Sequence, residues 1–250
     1  MFDDLKNKQV LVTGASSGFG QHFARLFARH GAEVTLAARR LESLEAERDA
    51  LRSSGAVADA VKLDVSQSSS INALFAQRTR PFDIVVNNAG VSGAKRSLDM
   101  QESDWDGTLD VNLKGPFLVA QAAARALQQA GRGGSIVNIA SIIALRVAHE
   151  LSAYAASKAG LVHLTRALSL EWARYGIRVN AICPGYFETE MNSAFFKTAP
   201  GEALIKRIPQ RRLGQPGELD GALLLLASDA GAYITGSTIV VDGGHTNSSL

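Results

Sequence analysis

The chain has 250 residues, 46% hydrophobic and 20% charged, a composition that excludes intrinsic disorder and fits one large α/β domain or two ordinary ones. A formal net charge of +2 is too small to argue for nucleic acid or an acidic surface as partner. No apolar run reaches membrane-spanning length, the acidic start Met1-Phe2-Asp3-Asp4 does not read as a signal peptide, and the single Cys183 excludes an internal disulfide, which suits a reducing cytoplasm.

Residues 9–13 read as a short buried strand, followed by Thr13-Gly14-Ala15-Ser16-Ser17-Gly18-Phe19-Gly20 and an amphipathic run over 21–30. A strand, a glycine-rich turn and a helix start make an anion site, because free N–H groups and the helix dipole face one point. The spacing of Gly14, Gly18 and Gly20 is not the G-x-G-x-x-G fingerprint, so the turn's position after the first strand carries the weight. A second strand over 33–38 ends at Ala38, with Arg39 and Arg40 next. An acidic residue at this point of a dinucleotide-binding fold grips a ribose 2′-hydroxyl; Ala38 does not, and a guanidinium pairs well with a 2′-phosphate. A charged helix over 41–53, a strand over 58–63 leading to Asp64-Val65 and a helix over 66–78 follow. The fourth strand, 81–86, leads into Asn87-Asn88-Ala89-Gly90, small residues that let backbone approach a nucleotide.

A long helix is predicted over 103–130, with Pro116 removing one helical hydrogen bond, loosening the turn around Asn112 and freeing carbonyls there. Strand five, 134–140, carries Ser141 at its end. In the helix over 151–175, Tyr154 and Lys158 stand four apart, hence on one face and ~5–6 Å apart at Cβ. An ammonium beside a phenol lowers the phenol's pKa, so Tyr154 can exchange a proton with a substrate oxygen near neutral pH while Ser141 holds the same oxygen. The same pair on a helix is also a common surface arrangement, so the chemistry depends on a nucleotide site elsewhere in the chain. Strand six, 177–182, closes at Cys183-Pro184-Gly185, where Cys183 reads as an inert core residue. The segment 186–212, broken by Pro200, Gly201 and Pro209, reads as a substrate lid. A helix over 215–226 and a strand over 237–241 end the pattern. Strands alternating with helices predict a single domain over 1–250: a doubly wound parallel sheet of about seven strands, Rossmann-like, covered on both faces.

In this order the motifs resemble the short-chain dehydrogenase/reductase family over nearly the whole chain. The matching residues are 13–20, with Phe19 where isoleucine or leucine is commoner; 87–90; Ser141 with Tyr154-x-x-x-Lys158; and Pro184-Gly185 with Thr189. The resemblance implies that Gly14, Gly18 and Gly20, in one turn with Ser16, Ser17 and Phe19, line a cofactor pyrophosphate. It implies that Asp64 contacts adenine with Val65 beside it, that Asn88, Ala89 and Gly90 pass along the adenosine ribose, and that Tyr154 and Lys158 reach the nicotinamide ribose. It also implies that Thr189 and the backbone after Pro184 and Gly185 hold the carboxamide, and that the backbone of Asn112 holds a water in a proton relay to Lys158. Members usually form homotetramers through their two long helices.

The expected activity is reversible hydride transfer between a nicotinamide and a ketone or secondary alcohol, with Tyr154 as acid or base, Ser141 positioning the oxygen, and no metal. NADP(H) is the expected cofactor, with NAD(H) also accepted. Ser17 stands where many NADP-preferring relatives carry a basic residue, so the preference rests on Arg39, with Ser16 and Arg40 as helpers. Ile142, Ile143, Ala144, Leu145, Val147 and Phe195 favour hydrophobic ketones, while Arg146 is an alternative anchor for a carboxylate or phosphate. Three other readings stay open: a 3-oxoacyl-thioester reductase whose Arg132 and Arg174 dock an acidic carrier, an NAD-dependent polyol or sugar dehydrogenase, and an inactive nucleotide-binding scaffold. The intact Asn112, Ser141, Tyr154 and Lys158 oppose the last.

Overall fold

The computed structural model describes residues 2–188 and 193–247. Short runs rich in valine, isoleucine and leucine form seven strands: β1 (Gln9–Thr13), β2 (Glu33–Ala38), β3 (Ala58–Lys62), β4 (Ile84–Asn87), β5 (Gly134–Ile139), β6 (Ile177–Pro184) and β7 (Thr238–Val241). They make one sheet in the order β3-β2-β1-β4-β5-β6-β7, every neighbouring pair parallel. The helices α1 (Gly18–Arg29), α2 (Leu41–Ser53), α3 (Ser68–Ala76), α4 (Glu102–Leu109), α5 (Gly115–Gln129), α6 (Ser152–Trp172), α7 (Ser193–Phe196), α8 (Ala199–Ile205) and α9 (Asp220–Ala227) connect and cover it.

Side chains alternate across each strand, so the sheet feeds two cores. Val10 and Val12 of β1, with Ile84 and Val86 of β4, join Phe23, Phe27, Leu44 and Leu223 on the side of α1, α2 and α9. Leu11 and Val85, one residue out of step, join Ile71, Val119, Leu127 and Leu168 on the side of α3, α5 and α6. Each fully buried aliphatic side chain contributes about 1.5–3 kcal/mol relative to leaving it in water, and central strands apolar on both faces are what a covered parallel sheet requires.

Strand order reverses between β1 and β4, and in such a sheet ligands bind beyond the carboxyl ends of the strands at that reversal. The predicted elements differ from the observed ones in three instructive places. β4 starts at Ile84 rather than at residue 81, because Pro81 has no N–H for a ladder and Asp83 is spent on the end of β1, where its carboxylate accepts the Gln9 N–H at 2.8 Å. β6 runs on through Pro184, since Cys183 and Pro184 still pair with Val240 and Val241.

The third difference is the long helix expected over 103–130, which is two helices joined by a π-turn, Asp110–Lys114. The Gly115 N–H bonds back to the carbonyl of Asp110, five residues earlier, and Pro116 has no N–H to return to the carbonyl of Asn112. The loosening predicted at this place is therefore a defined change of hydrogen-bond register. Gly115 is forced by packing: a Cβ there would lie 2.8 Å from the carbonyl oxygen of Val65.

Candidate active site

The turn between β1 and α1 is closed by steric exclusion. Gly14 has φ +67°, and a Cβ on it would stand 2.8 Å from Cα of Ala89; a Cβ on Gly20 would stand 2.2 Å from the carbonyl oxygen of Gly14. Around Gly18, by contrast, a Cβ would meet nothing within 4 Å. Ser17 at the start of α1 makes no side-chain cap, so the first N–H groups of a three-turn helix are left to an outside acceptor. A pyrophosphate fits this cradle: donors, dipole and open space coincide.

The facing segment is bolted to the turn by a residue that the motif reading passed over. The Thr13 hydroxyl accepts from the N–H groups of Asn88 and Ala89, both at 3.0 Å, and donates to Val86 O at 3.3 Å. The Asn88 amide answers by donating to the carbonyls of Thr13 (2.9 Å) and Gly14 (3.3 Å). Asn87 turns inward, donating to Asn138 Oδ1 at 2.9 Å, and Asn138 donates to Thr165 Oγ1 at 2.9 Å on α6. The signal in the sequence was the hydroxyl ending a buried strand, a polar atom that burial obliges to find partners.

Beyond β2, Arg39 and Arg40 are both exposed, and it is Arg40 whose guanidinium donates to Ser16 Oγ and Ser17 Oγ, each at 3.1 Å. Arg39, the residue expected to lead, makes no such contact with the turn among the described residues. Asp64 folds its carboxylate onto Ser66, accepting from its N–H at 3.0 Å and its hydroxyl at 2.7 Å, which fixes the end of β3 with Val65 buried beneath. Phe19 is half-buried and packs edge-on against Phe187 with ring centroids 5.3 Å apart, so its side chain joins the glycine turn to the chain beyond β6.

Ser141, at the end of β5, and Tyr154 and Lys158, on the first two turns of α6, meet at the same edge of the sheet. The Ser141 hydroxyl lies near enough to the Tyr154 phenol to act on it. The Lys158 ammonium is 5.7 Å from the Tyr154 ring centre and donates to Ile139 O at 2.8 Å. Gly90 passes over it: a Cβ there would lie 3.6 Å from Lys158 Nζ. The predicted convergence of the two motifs is thus present in space.

The predicted electrostatics are not. Burial pushes the Tyr154 phenol above its ordinary pKa, the Ser141 hydroxyl pulls it back only in part, and Cys183 and Tyr186 add to the rise. Lys158 contributes nothing to that balance, because burial lowers its own pKa to about 8. The four-residue spacing gave proximity; it carried no information about desolvation. Cys183 is buried as expected but lies beside this group, and burial raises the pKa of its thiol.

Asn112 is fully buried on the π-turn and clamps the strand-like backbone of Val91 from both sides, accepting from its N–H at 2.8 Å and donating to its carbonyl at 2.8 Å. Its amide also donates to Ser157 Oγ at 3.2 Å, and Ser157 in turn donates to the carbonyl of Tyr154 at 2.7 Å. Ser157 escaped the sequence reading, although it sits inside the Tyr154-to-Lys158 stretch.

Pro184 and Gly185 lie at the end of β6, where a Cβ on Gly185 would stand 2.7 Å from Cα of Asp242. Thr189 lies outside the described residues. The segment that follows is tied at its neck, with Gly214 donating to Tyr186 O at 2.9 Å and Glu188 donating to Gly214 O at 3.0 Å. Arg212 holds Glu218 by two bonds, at 2.7 and 2.6 Å. Arg146 spends one N–H on Thr246 O at 2.7 Å. Among the described residues no group of histidine, cysteine, aspartate and glutamate side chains is arranged to hold a metal, and no helix is long and apolar enough to cross a membrane.

A family model described as enoyl-(acyl carrier protein) reductase matches residues 14–246. The NAD-dependent glycerol dehydrogenase of Listeria innocua is 38% identical over 97% of this chain and 95% of its own. Among solved structures, a short-chain type dehydrogenase/reductase from Mycobacterium marinum superposes with a TM-score of 0.92 at 40% identity, covering 98% of both chains. A gluconate 5-dehydrogenase from Burkholderia cenocepacia, in complex with NADP and tartrate, does so with 0.93 at 36% identity over 99% of each. The parallel sheet and these relatives together define a nicotinamide-dependent oxidoreductase acting between CH–OH and C=O. The chain belongs to the short-chain dehydrogenase/reductase family.

Proposed function

We propose that this protein is an NADP(H)-preferring dehydrogenase that interconverts a small secondary alcohol and its ketone, with NAD(H) as a weaker alternative. The observation that carries the reading is the meeting of Ser141, Tyr154 and the buried Lys158 at one place, with Gly90 passing over the ammonium. The N-terminal turn of α1 would take the pyrophosphate, Asp64 and Val65 the adenine, Asn88 to Gly90 the adenosine ribose, Lys158 the nicotinamide ribose, and the backbone after Pro184 and Gly185 the carboxamide, together with Thr189. The bound nicotinamide supplies or accepts the hydride.

Ser141 and Tyr154 present two hydroxyls to one substrate oxygen, where charge develops during reduction, and Tyr154 gives up its proton there. A phenol with a raised pKa is fully protonated at neutral pH, which suits the acid role. Lys158 donates to Ile139 O, which fixes its side chain beside the Tyr154 ring, where it would hold the nicotinamide ribose. The carbonyl of Asn112, deprived of its helical partner by Pro116, is the acceptor for a relay water. The preference for NADP(H) is supported by Ala38 in place of an acid, and by Arg40 already lying across Ser16 and Ser17 with Arg39 beside it.

The tetramer reading is supported by an open groove of about 780 Å³ between α5 and α6, with Phe117, Leu164, Leu168 and Trp172 along it and Leu170 83% exposed. The acyl-carrier reading is weakened at Arg132, which is paired with Asp83, and left open at Arg174, which spends one N–H on the Tyr175 hydroxyl at 2.6 Å. We place the protein in the cytoplasm, as a single domain with a lid over 186–212. The test is a panel of ketones, β-keto thioesters and polyols with each cofactor, followed by nicotinamide absorbance. Turnover of ketones or secondary alcohols with NADP(H) at the higher kcat/KM is expected; turnover of thioesters alone, or an NAD(H) preference, overturns the reading.

A further inference from the structure

The π-turn lies close against α6. A Cβ on Gly160 would meet the Leu113 side chain at 3.0 Å, so glycine at that point lets the two elements approach. Three residues before Gly160, Ser157 faces Asn112, and neither residue has any solvent exposure. Polar side chains buried so completely must find partners, and these two find each other. The Asn112 amide donates to Ser157 Oγ at 3.2 Å, and Ser157 donates to the carbonyl of Tyr154 at 2.7 Å.

A hydroxyl carries one hydrogen. The Tyr154 carbonyl can only accept, so that hydrogen is spent there, and Ser157 Oγ has only lone pairs to offer Asn112. The NH2 of the Asn112 amide must therefore point at Ser157. Turned this way, its other N–H reaches Val91 O and its oxygen receives the Val91 N–H, both at 2.8 Å. The reversed amide would set its oxygen against Ser157 Oγ and Val91 O, and its NH2 against the Val91 N–H. Ser157 thus pins the amide from the α6 side in the one orientation that Val91 can use. The chain held by that amide is the one that passes over the lysine: a Cβ on Gly90 would stand 3.3 Å from Asn112 Oδ1 and 3.6 Å from Lys158 Nζ. An alanine at 157 would leave an N–H of Asn112 unpaired where no water reaches it, and the amide would lose its reason to stay turned.

We propose that Ser157 is a positioning residue for the reaction: acting through Asn112, it sets the backbone of Gly90 and Val91 against Lys158 and the Tyr154 turn of α6, so that the cofactor ribose and the substrate oxygen are presented together. It touches neither substrate nor cofactor. The proposal rests on the dehydrogenase reading above and adds to it a residue that works one step behind the reacting groups. The hydroxyl matters here for its lone pairs, not for its size.

The experiment compares wild type with Ser157→Ala and Ser157→Cys on the best alcohol or ketone of the panel. It reads kcat, substrate KM, the dissociation constant of NADPH, thermal stability, and amide hydrogen exchange of the peptide around Val91. Ser157→Ala should lower kcat by on the order of tenfold, with KM and the NADPH constant within a few-fold, because the loss is one of alignment. Exchange around Val91 should speed up, while that of the glycine turn over 14–20 stays as in wild type. Ser157→Cys keeps the volume but accepts weakly, so its kcat should fall between the two; it carries the same comparison where the alanine variant does not fold. Reduced thermal stability with kcat per folded molecule unchanged would mark a merely structural hydroxyl and overturns the proposal, as does unchanged exchange around Val91. A wild type that turns over no alcohol or ketone with either cofactor is a different outcome, and sinks the dehydrogenase reading beneath it.

Discussion

The two ends of the cleft are built on opposite principles. At the β1 and β4 end there is no space to vary: Gly14 and Gly20 admit no Cβ, and Thr13 and Asn88 lock the two loops together through five hydrogen bonds between side chain and backbone. At the other end Leu145, Val147 and Phe195 are about half exposed or more, Val147 at 87%, and the chain beyond Tyr186 is held by backbone bonds to Gly214 and Gly243. A cofactor shared by many enzymes needs one backbone shape, whereas an individual substrate is read by side chains on a replaceable loop. Tyr154 and Lys158 stand on α6, apart from both.

That contrast can be broken most sharply in the middle. Tyr154→Phe should lower turnover by ~10²-fold or more while leaving the dissociation constant of NADPH within a few-fold, as read by steady-state rates and fluorescence titration. Near-normal turnover would remove Tyr154 from the chemistry and leave the cleft without an acid.

Lys158 tests what the same place costs in stability. Its folded pKa of about 8 lies below the ordinary lysine value of 10.5, so below pH 8 both states hold the proton and the full burden of burying the charge is carried. As pH rises through 8 the folded protein sheds that proton while the unfolded chain keeps it, so stability increases up to the unfolded value; the raised Tyr154 phenol opposes this only above about pH 10. The full burden corresponds to ~3 kcal/mol. Lys158→Met should therefore be inactive yet more stable than wild type at pH 7, with the gap closing towards pH 9.5 in denaturant titrations without cofactor. A gap that stays constant with pH rejects the buried ammonium.

At the cofactor end Gly20→Ala should cost about 1–3 kcal/mol, since its methyl would overlap backbone rather than a yielding side chain. Val147→Ala at the substrate end should stay within about 0.5 kcal/mol and change KM instead. If both substitutions cost the same, the two ends are not built differently. The smallest effect belongs to the turn's rim: Arg40→Ala should reduce the NADPH-to-NADH ratio of kcat/KM by about tenfold, the scale of one exposed charge-assisted bond. Arg39→Ala should do less. The reverse order would return the leading role to Arg39.

How far the sequence carries these distinctions follows from how local each cause is. The β1 turn, the strand order of motifs and the meeting of Ser141 with Tyr154 are legible because hydrophobic runs and glycine positions are short-range signals. The π-turn is not: Pro116 marks the place, but the shift of register also depends on Val65 under Gly115 and on the bonds of Asn112 to Val91 and Ser157, which are distant in sequence. The direction of the Tyr154 pKa depends on burial by the whole fold, and the choice of Arg40 over Arg39 on the direction in which the chain leaves β2. Thr13 was legible as a buried hydroxyl in need of partners, but its partners Val86, Asn88 and Ala89 are distant in sequence.

The π-turn makes the site sensitive to a number rather than to any residue's identity. Asp110–Lys114 holds one residue more than a continuous α-helix would need between α4 and α5. Removing one residue there would restore the ordinary helical register around Pro116, which has no N–H to contribute, and would turn the residues of the stretch itself by about 100° around the axis. Helical content would be kept, while the amide of Asn112 swung away from Val91 and Ser157. A single-codon deletion in this stretch is therefore a lesion that circular dichroism would pass and only a rate measurement would see.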